Sequence, residues 1–409
     1  MLSARSRGVI ARGYGRSYGD ACLNDQGDVI DMQKLSAVRS FDTSSGTICC
    51  EAGVSFADIM QQCLDHGWLP AACPGTAFVS MGGAVANDVH GKNHHLAGTF
   101  ADHLDWFELL TADGAVTRVS RDSDDELFEA TVGGIGLTGI ITAVQFRLQR
   151  TPSNAVQLRE ARVPNLDAFL EQLAAKAFNC EYAVGWIDGL ARGRSMGRGI
   201  LETAELCTES VPTPARPALR LPFEFPQWAL NRHTVGLFNS AYYHRVPPGG
   251  RSRRIHLNSF LYPLDALHDW NRLYGRQGVY QFQCVVPFDS GRRACIELME
   301  EVIKDRSASF LAVIKAMGKP GLGMLSYAQP GFSLALDFPR RGGTLAFMHR
   351  LHEITLKHGG RVYLAKDACL TAEEFAAMYP KAAKFKAVLQ RIDQNAVIQS
   401  DMARRLGLR

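Results

Sequence analysis

A chain of 409 residues is too long for one ordinary core and long enough for two domains that each fold without staples. Lysine and arginine number 45 against 41 acidic residues, and a net charge of +4 gives no global reason to expect a nucleic-acid partner. Ten cysteines are scattered without a CxxC pair, and Cys49 and Cys50 are adjacent, which argues against a disulfide framework or a structural zinc and for reduced thiols in the cytoplasm.

In chain order, residues 8–150 alternate β-branched runs with glycine turns. RGVIARG, GDVIDM, GTICCEAG and the stretches 103–120 and 136–152 read as strands or strand–turn–strand units. Between them, Phe56, Ile59, Met60 and Leu64 fall on one helical face, with Gly67 as the stop. The texture changes near 151. NLDAFLEQLAAKAF reads as a helix and EYAVGWIDG as a strand. Residues 209–254 are Pro- and Arg-interrupted and read either as a long surface insertion or as a lid, with Phe223, Phe225 and Trp228 as apolar anchors toward an apolar or membrane surface. The run from Leu257 to Asp289 predicts strand, helix, strand; helices follow at 292–306 and 345–359, and strands at 309–318 and 332–340. The tail predicts a strand and short helices, one with Thr371 as N-cap and Glu374 three residues on. The N-terminus has no apolar signal-peptide core and no run is long enough to span a bilayer, so membrane contact is expected to be peripheral.

GYGRSYG, residues 13–19, fits the dinucleotide fingerprint poorly, because no full strand–turn–helix unit with a downstream acid follows. Two further glycine clusters, 74–100 and 132–142, lie in the same part of the chain. Glycine lets backbone amides approach an anion closely, so three converging loops suit an extended diphosphate lying in a groove.

The order RGYGRSYGD, then PGTAFVSMGGAVANDVHGKNHH, then GGIGLTGIIT resembles the FAD-linked oxidases of the vanillyl-alcohol oxidase superfamily. Within these, HGKNHH and the closing SDMARRLGL are most similar to the oxidase subunits of decaprenylphosphoryl-β-D-ribose 2′-epimerase, and the resemblance runs from about residue 8 to the C-terminus. It implies an α+β fold in which residues 1–150 and 361–409 build an FAD-binding domain of two α/β subdomains. A substrate domain on an antiparallel sheet, residues 151–360, is inserted between them. It assigns the cofactor to Arg12, Gly13, Gly15, Arg16, Ser17, Tyr18 and Gly19 in the first loop. The second loop contributes Pro74, Gly75, Thr76, Gly82, Gly83, Asn87, His90 and Gly91, and the third Gly134, Gly136, Gly139 and Ile141. Many sugar oxidases of the superfamily carry, at the position of Arg16, a histidine bonded to the flavin; arginine cannot form that bond, so non-covalent FAD is expected. Relatives carry a few tens of residues ahead of the first loop where only Met1–Arg7 stand here, which predicts a misplaced start or an incomplete adenine side.

Oxidising a secondary alcohol on a flavin needs the C–H bond held at near-attack distance and a group that takes the hydroxyl proton. Lys315, an isolated cation in an apolar strand, is the first candidate; its alternative is a lysine snorkelling from a strand end. Tyr18 and His90 are the others, and the resemblance places Lys92 and Cys284 with Lys315 on the substrate side. On its own Cys284 reads as a small buried hydrophobe. His90, His94 and His95 lack an acidic partner at metal-ligand spacing, so no metal is expected there, and the C-terminal histidines read as solvated or core residues. The resemblance implies oxidation of a lipid-linked sugar phosphate, a polyprenylphosphoryl-β-D-ribose, at its 2′-hydroxyl. An NADH-dependent short-chain reductase is the implied partner, completing epimerisation for cell-wall arabinan. Rival readings are an aldonolactone or alditol oxidase acting on a free sugar with oxygen, and a flavin-binding scaffold with weak turnover.

Overall fold

The computed structural model describes residues 7–177, 179–214, 219–226, 230–305 and 311–409. Trp228 and Met1–Ser6 lie outside the described residues. The first part of the chain runs β1 (Val9–Arg12), β2 (Asp28–Asp31), β3 (Val38–Asp42), β4 (Thr47–Glu51), α1 (Phe56–Cys63), β5 (Trp68–Pro70), α2 (Met81–Ala86), α3 (His94–Ala97), β6 (Leu104–Leu110), β7 (Val116–Val119), α4 (Asp125–Thr131) and β8 (Ile140–Arg150). A parallel pair, β1–β2, stands beside a six-stranded sheet ordered β3-β4-β8-β6-β7, with β5 paired to the far end of β8. Helix α1 forms as its pattern predicts: Ser55 and Asp58 close a capping box, the apolar face is buried, and Gly67 ends the turn in the left-handed region.

The middle of the chain contributes β9 (Ala155–Val163), α5 (Leu166–Ala177), β10 (Tyr182–Ile187), β11 (Gly199–Leu206), β12 (Leu219–Arg220), α6 (Arg232–His244), β13 (Arg251–His256), α7 (Leu257–Leu261), β14 (Leu267–His268), β15 (Val279–Pro287), α8 (Phe288–Asp305), β16 (Ala312–Met317), β17 (Gly331–Pro339) and α9 (Thr344–Lys357). With β18 (Arg361–Val362) they make an eight-stranded sheet, β13-β9-β11-β10-β16-β17-β15-β18, antiparallel throughout. Helices α5, α8 and α9 cover one face of it. The chain closes with α10 (Ala372–Met378), α11 (Ala382–Ile392) and α12 (Asp401–Arg405), and the Thr371–Glu374 capping box forms.

Two expectations are corrected. The run opening at Leu257 is helix α7, not a strand: His256 accepts the Asn258 N–H, and Leu257, Phe260 and Leu261 share a buried face. The stretch 209–254 is not irregular throughout, because α6, capped by Asn231 and Thr234, and the edge strand β13 lie within it.

The termini of the described chain meet. The Val9 N–H donates to Val397 O at 2.8 Å and the Gln399 N–H to Val9 O at 2.9 Å. Arg405 grips Asp20 with two parallel bonds of 2.6 and 2.9 Å and reaches Asp367 at 3.0 Å. Gly19 lies so close to the Asp367 carbonyl that a Cβ there would overlap it. Among the described residues no helix is long and apolar enough to cross a membrane.

Candidate active site

A cavity of about 560 Å³ opens between the glycine loops and the large sheet. One wall is backbone-rich. Gly13, Gly15, Arg16, Ser17 and Tyr18 enter from the loop after β1, and Gly15 has φ +62, where glycine is the natural choice. Pro74, Gly75 and Thr76 follow, then Gly82 and Gly83 in α2, whose start is capped by Ser80 and whose end is tied by Asn87 Nδ2 to Gly83 O at 2.9 Å. Gly136, Gly139 and Ile141 complete it beside Ile135, a β-branched residue held at φ +50, a costly conformation that proteins keep where surroundings over-determine it.

The opposite wall follows from the pleat. Val279, Gln281 and Gln283 of β15, Val313 and Lys315 of β16 and Ala335 of β17 face the cavity, because alternate residues of a strand share a face. Tyr363, Ala365 and Lys366 come from the turn after β18, and Asp265, His268 and Trp270 rim the mouth.

The electrostatics concentrate at Lys315 and Lys366. Burial pulls the Lys315 ammonium down to about 8, with Lys92 adding repulsion. Lys366 falls to about 7, again chiefly by burial; Asp337 opposes the shift and Lys315 adds to it. Its ammonium lies 3.8 Å above the Tyr18 ring, a cation–π contact. Burial raises Asp337 to about 6 despite hydrogen bonds from Gln281 and, at 3.1 Å, from the Tyr274 hydroxyl. Burial also raises the Tyr18 phenol, with Asp337 adding to it, and lowers His90, with Lys315 adding to it. His90 is therefore a neutral imidazole at neutral pH, stacked on Tyr327 at 5.2 Å with Nε2 3.3 Å from Gln283 Nε2.

Several predicted residues do not line the cavity. The Arg12 guanidinium folds against Gly15, Gly91 abuts the Cys73 backbone, and Gly134 is packed between Ala130 and Phe385. Lys92 is turned aside: its ammonium donates to the Phe260 carbonyl and sits 4.2 Å from that ring's centroid. Cys284 is fully buried on the helix side of β15, where burial pushes its thiol up to about 12. Conversely Gln281, Gln283, Tyr363, Lys366 and Asp337 were not singled out from sequence. The alternation in YQFQC marks the two glutamines, and Lys366 stands in YLAKDAC as the same kind of isolated cation as Lys315.

The donor set fits FAD: a long groove with three glycine-bearing loops along one side, within the size range of small-molecule sites, beside titratable groups tuned near neutrality. Residues 1–120 match the FAD binding domain family model, and residues 333–406 match that of D-arabinono-1,4-lactone oxidase. The chain is 38% identical to decaprenylphosphoryl-β-D-ribose oxidase of Mycolicibacterium smegmatis, over 98% of this chain and 90% of the relative. The chain belongs to that family of FAD-linked oxidases. It is an FAD-dependent oxidoreductase. An uncharacterized protein of Streptomyces coelicolor is 34% identical over 84% of this chain, and L-gulonolactone oxidase of Bos taurus is 31% identical over 42%.

Proposed function

We propose that this family member oxidises the 2′-hydroxyl of a polyprenylphosphoryl-β-D-ribose to a ketone. The observation that carries the reading is the pair of depressed-pKa lysines, Lys315 and Lys366, facing the same cavity as the glycine loops. When bound, FAD accepts the hydrogen and two electrons that leave the alcohol carbon. Lys366, neutral above about pH 7, takes the hydroxyl proton, with its amine placed over the Tyr18 ring. Lys315, mostly ammonium at neutral pH, orients the sugar phosphate, and Gln281 and Gln283 offer hydrogen bonds to sugar hydroxyls. FAD is held without a covalent bond, because Arg16, which lines the cavity with its guanidinium 5.4 Å from the Phe78 ring, offers no nucleophile.

The division into a cofactor part (1–150 with 361–409) and an inserted part (151–360) belongs to the same proposal and is supported by the Val9–Ile398 bridge and the Arg405 contacts. So does peripheral membrane contact. Leu219, Phe223, Leu237 and Phe238 are exposed apolar side chains, and β12 pairs with β14, whose Leu267 and His268 rim the cavity. A ketone product would need a separate hydride donor, in keeping with an NADH-dependent reductase as partner.

Mixing the purified protein anaerobically with a polyprenylphosphoryl ribose is expected to bleach the oxidised-flavin band, and acid precipitation to leave the flavin in the supernatant. A yellow protein that bleaches with a free aldonolactone but not with the lipid-linked sugar would replace the reading with the one favoured by the match at 333–406.

A further inference from the structure

On the helix-covered side of the large sheet, α9 meets α10, and His349, His352 and Glu374 come together there, apart from the cavity. His349 and His352 lie three residues apart in α9 and so share a face. Glu374 stands in the first turn of α10. Its Oε1 is 2.9 Å from His349 Nδ1 and its Oε2 is 3.2 Å from His352 Nδ1, and the three donor atoms lie within 4.8 Å of one another. We propose that His349, His352 and Glu374 bind one divalent ion of zinc's class, which clamps α9 to α10.

Two imidazoles and a carboxylate match the donor preference of such an ion, and three protein ligands leave a fourth position for water. The side chains of His349 and Glu374 are partly exposed, which gives that water and the ion a way in. The ligands are already held. His352 is fully buried and stacks on Phe282, and Glu374 is fixed by the 2.9 Å bond that Thr371 N–H donates to Oε2. One carboxylate oxygen can therefore ligate while the other keeps the helix cap. With the ion on His352 Nδ1 the ring's proton sits on Nε2, which is buried without a partner, a cost that the three-ligand bond must exceed. Because α9 backs β15 and β18 while α10 follows the segment bearing Tyr363 and Lys366, the ion would tie the large sheet to the returning chain.

The test uses tag-free, FAD-loaded protein stripped with a chelator and titrated with Zn²⁺. One equivalent is expected to bind and to raise the thermal midpoint, as any ligand of the folded state does. His349→Ala removes a partly exposed ligand, and Glu374→Gln can still close the capping box, so both should fold; each is expected to weaken Zn²⁺ binding roughly tenfold or more and abolish the thermal shift. The flavin absorbance should stay unchanged in both. Absence of saturable Zn²⁺ binding to the unsubstituted protein, or equal binding by both variants, would overturn the proposal.

Discussion

An ammonium group enclosed by Tyr18, Lys315 and the wall of an apolar cleft gives up its proton more readily than one in water, and for Lys366 the midpoint falls to about 7. If the amine is the base, kcat/KM rises with pH through about 7 and levels off above it. Lys366→Arg, which stays charged, is expected to cost about 100-fold or more and to remove that limb from the pH profile. A limb at pH 7 that survives the substitution would assign the proton to another group. Stability moves the same way. Between about 7 and the ordinary lysine value of 10.5 the unfolded chain binds the proton that the folded chain has lost, so this residue's burial cost is relieved as pH rises. At this scale the sequence speaks unevenly. Lys315 is legible as a charge in an apolar strand, whereas Cys284 sits one residue from Gln283 and therefore on the opposite face of β15. Parity along the strand, readable from YQFQC, separates the two.

Helix α6 presents Leu237 and Phe238 to solvent at 75% and 44% exposure while Val235 and Asn239 are buried, so its apolar character runs round to the outside. Such a face loses little fold stability when made polar. Leu237→Ser with Phe238→Ser is therefore expected to leave the flavin spectrum and thermal midpoint unchanged while reducing flotation with phosphatidylglycerol vesicles several-fold. Equal flotation of the variant would move any membrane contact elsewhere. Elements with strong local signals were readable: the strands β1, β2, β4 and β6 to β8, α1 with its cap and glycine stop, and the Thr371–Glu374 box. Helix α7 was not, because five residues have no period long enough to tell a turn of helix from a strand. Helix α6 was masked by the prolines and arginines around it, although Asn231 followed by Thr234 carried its start.

Across the whole molecule the returning C-terminal segment is joined to the first part of the chain by contacts between residues far apart in sequence. Arg405 joins Asp20 to Asp367, whose side chain is 1% exposed. Replacing it by methionine removes the charge partner of a buried carboxylate that keeps only the backbone bonds from Cys369 and Leu370, and is expected to cost about 2–4 kcal/mol. The expected readout is a lower thermal midpoint together with a lower flavin-to-protein ratio after dialysis. Full flavin retention would show that the clasp serves stability alone. Such pairings could not be read from the sequence, since nothing local to residue 20 announces a partner at 405.

The clasp also sets an order of events during synthesis. The wall that carries Lys366 emerges from the ribosome long after the glycine loops, and the arginine that closes it emerges later still. A nascent chain therefore displays half a groove, lined with apolar surface and glycine backbone, for most of the time it takes to be made. The complete groove therefore exists only once the C-terminal helix has closed on the first loop.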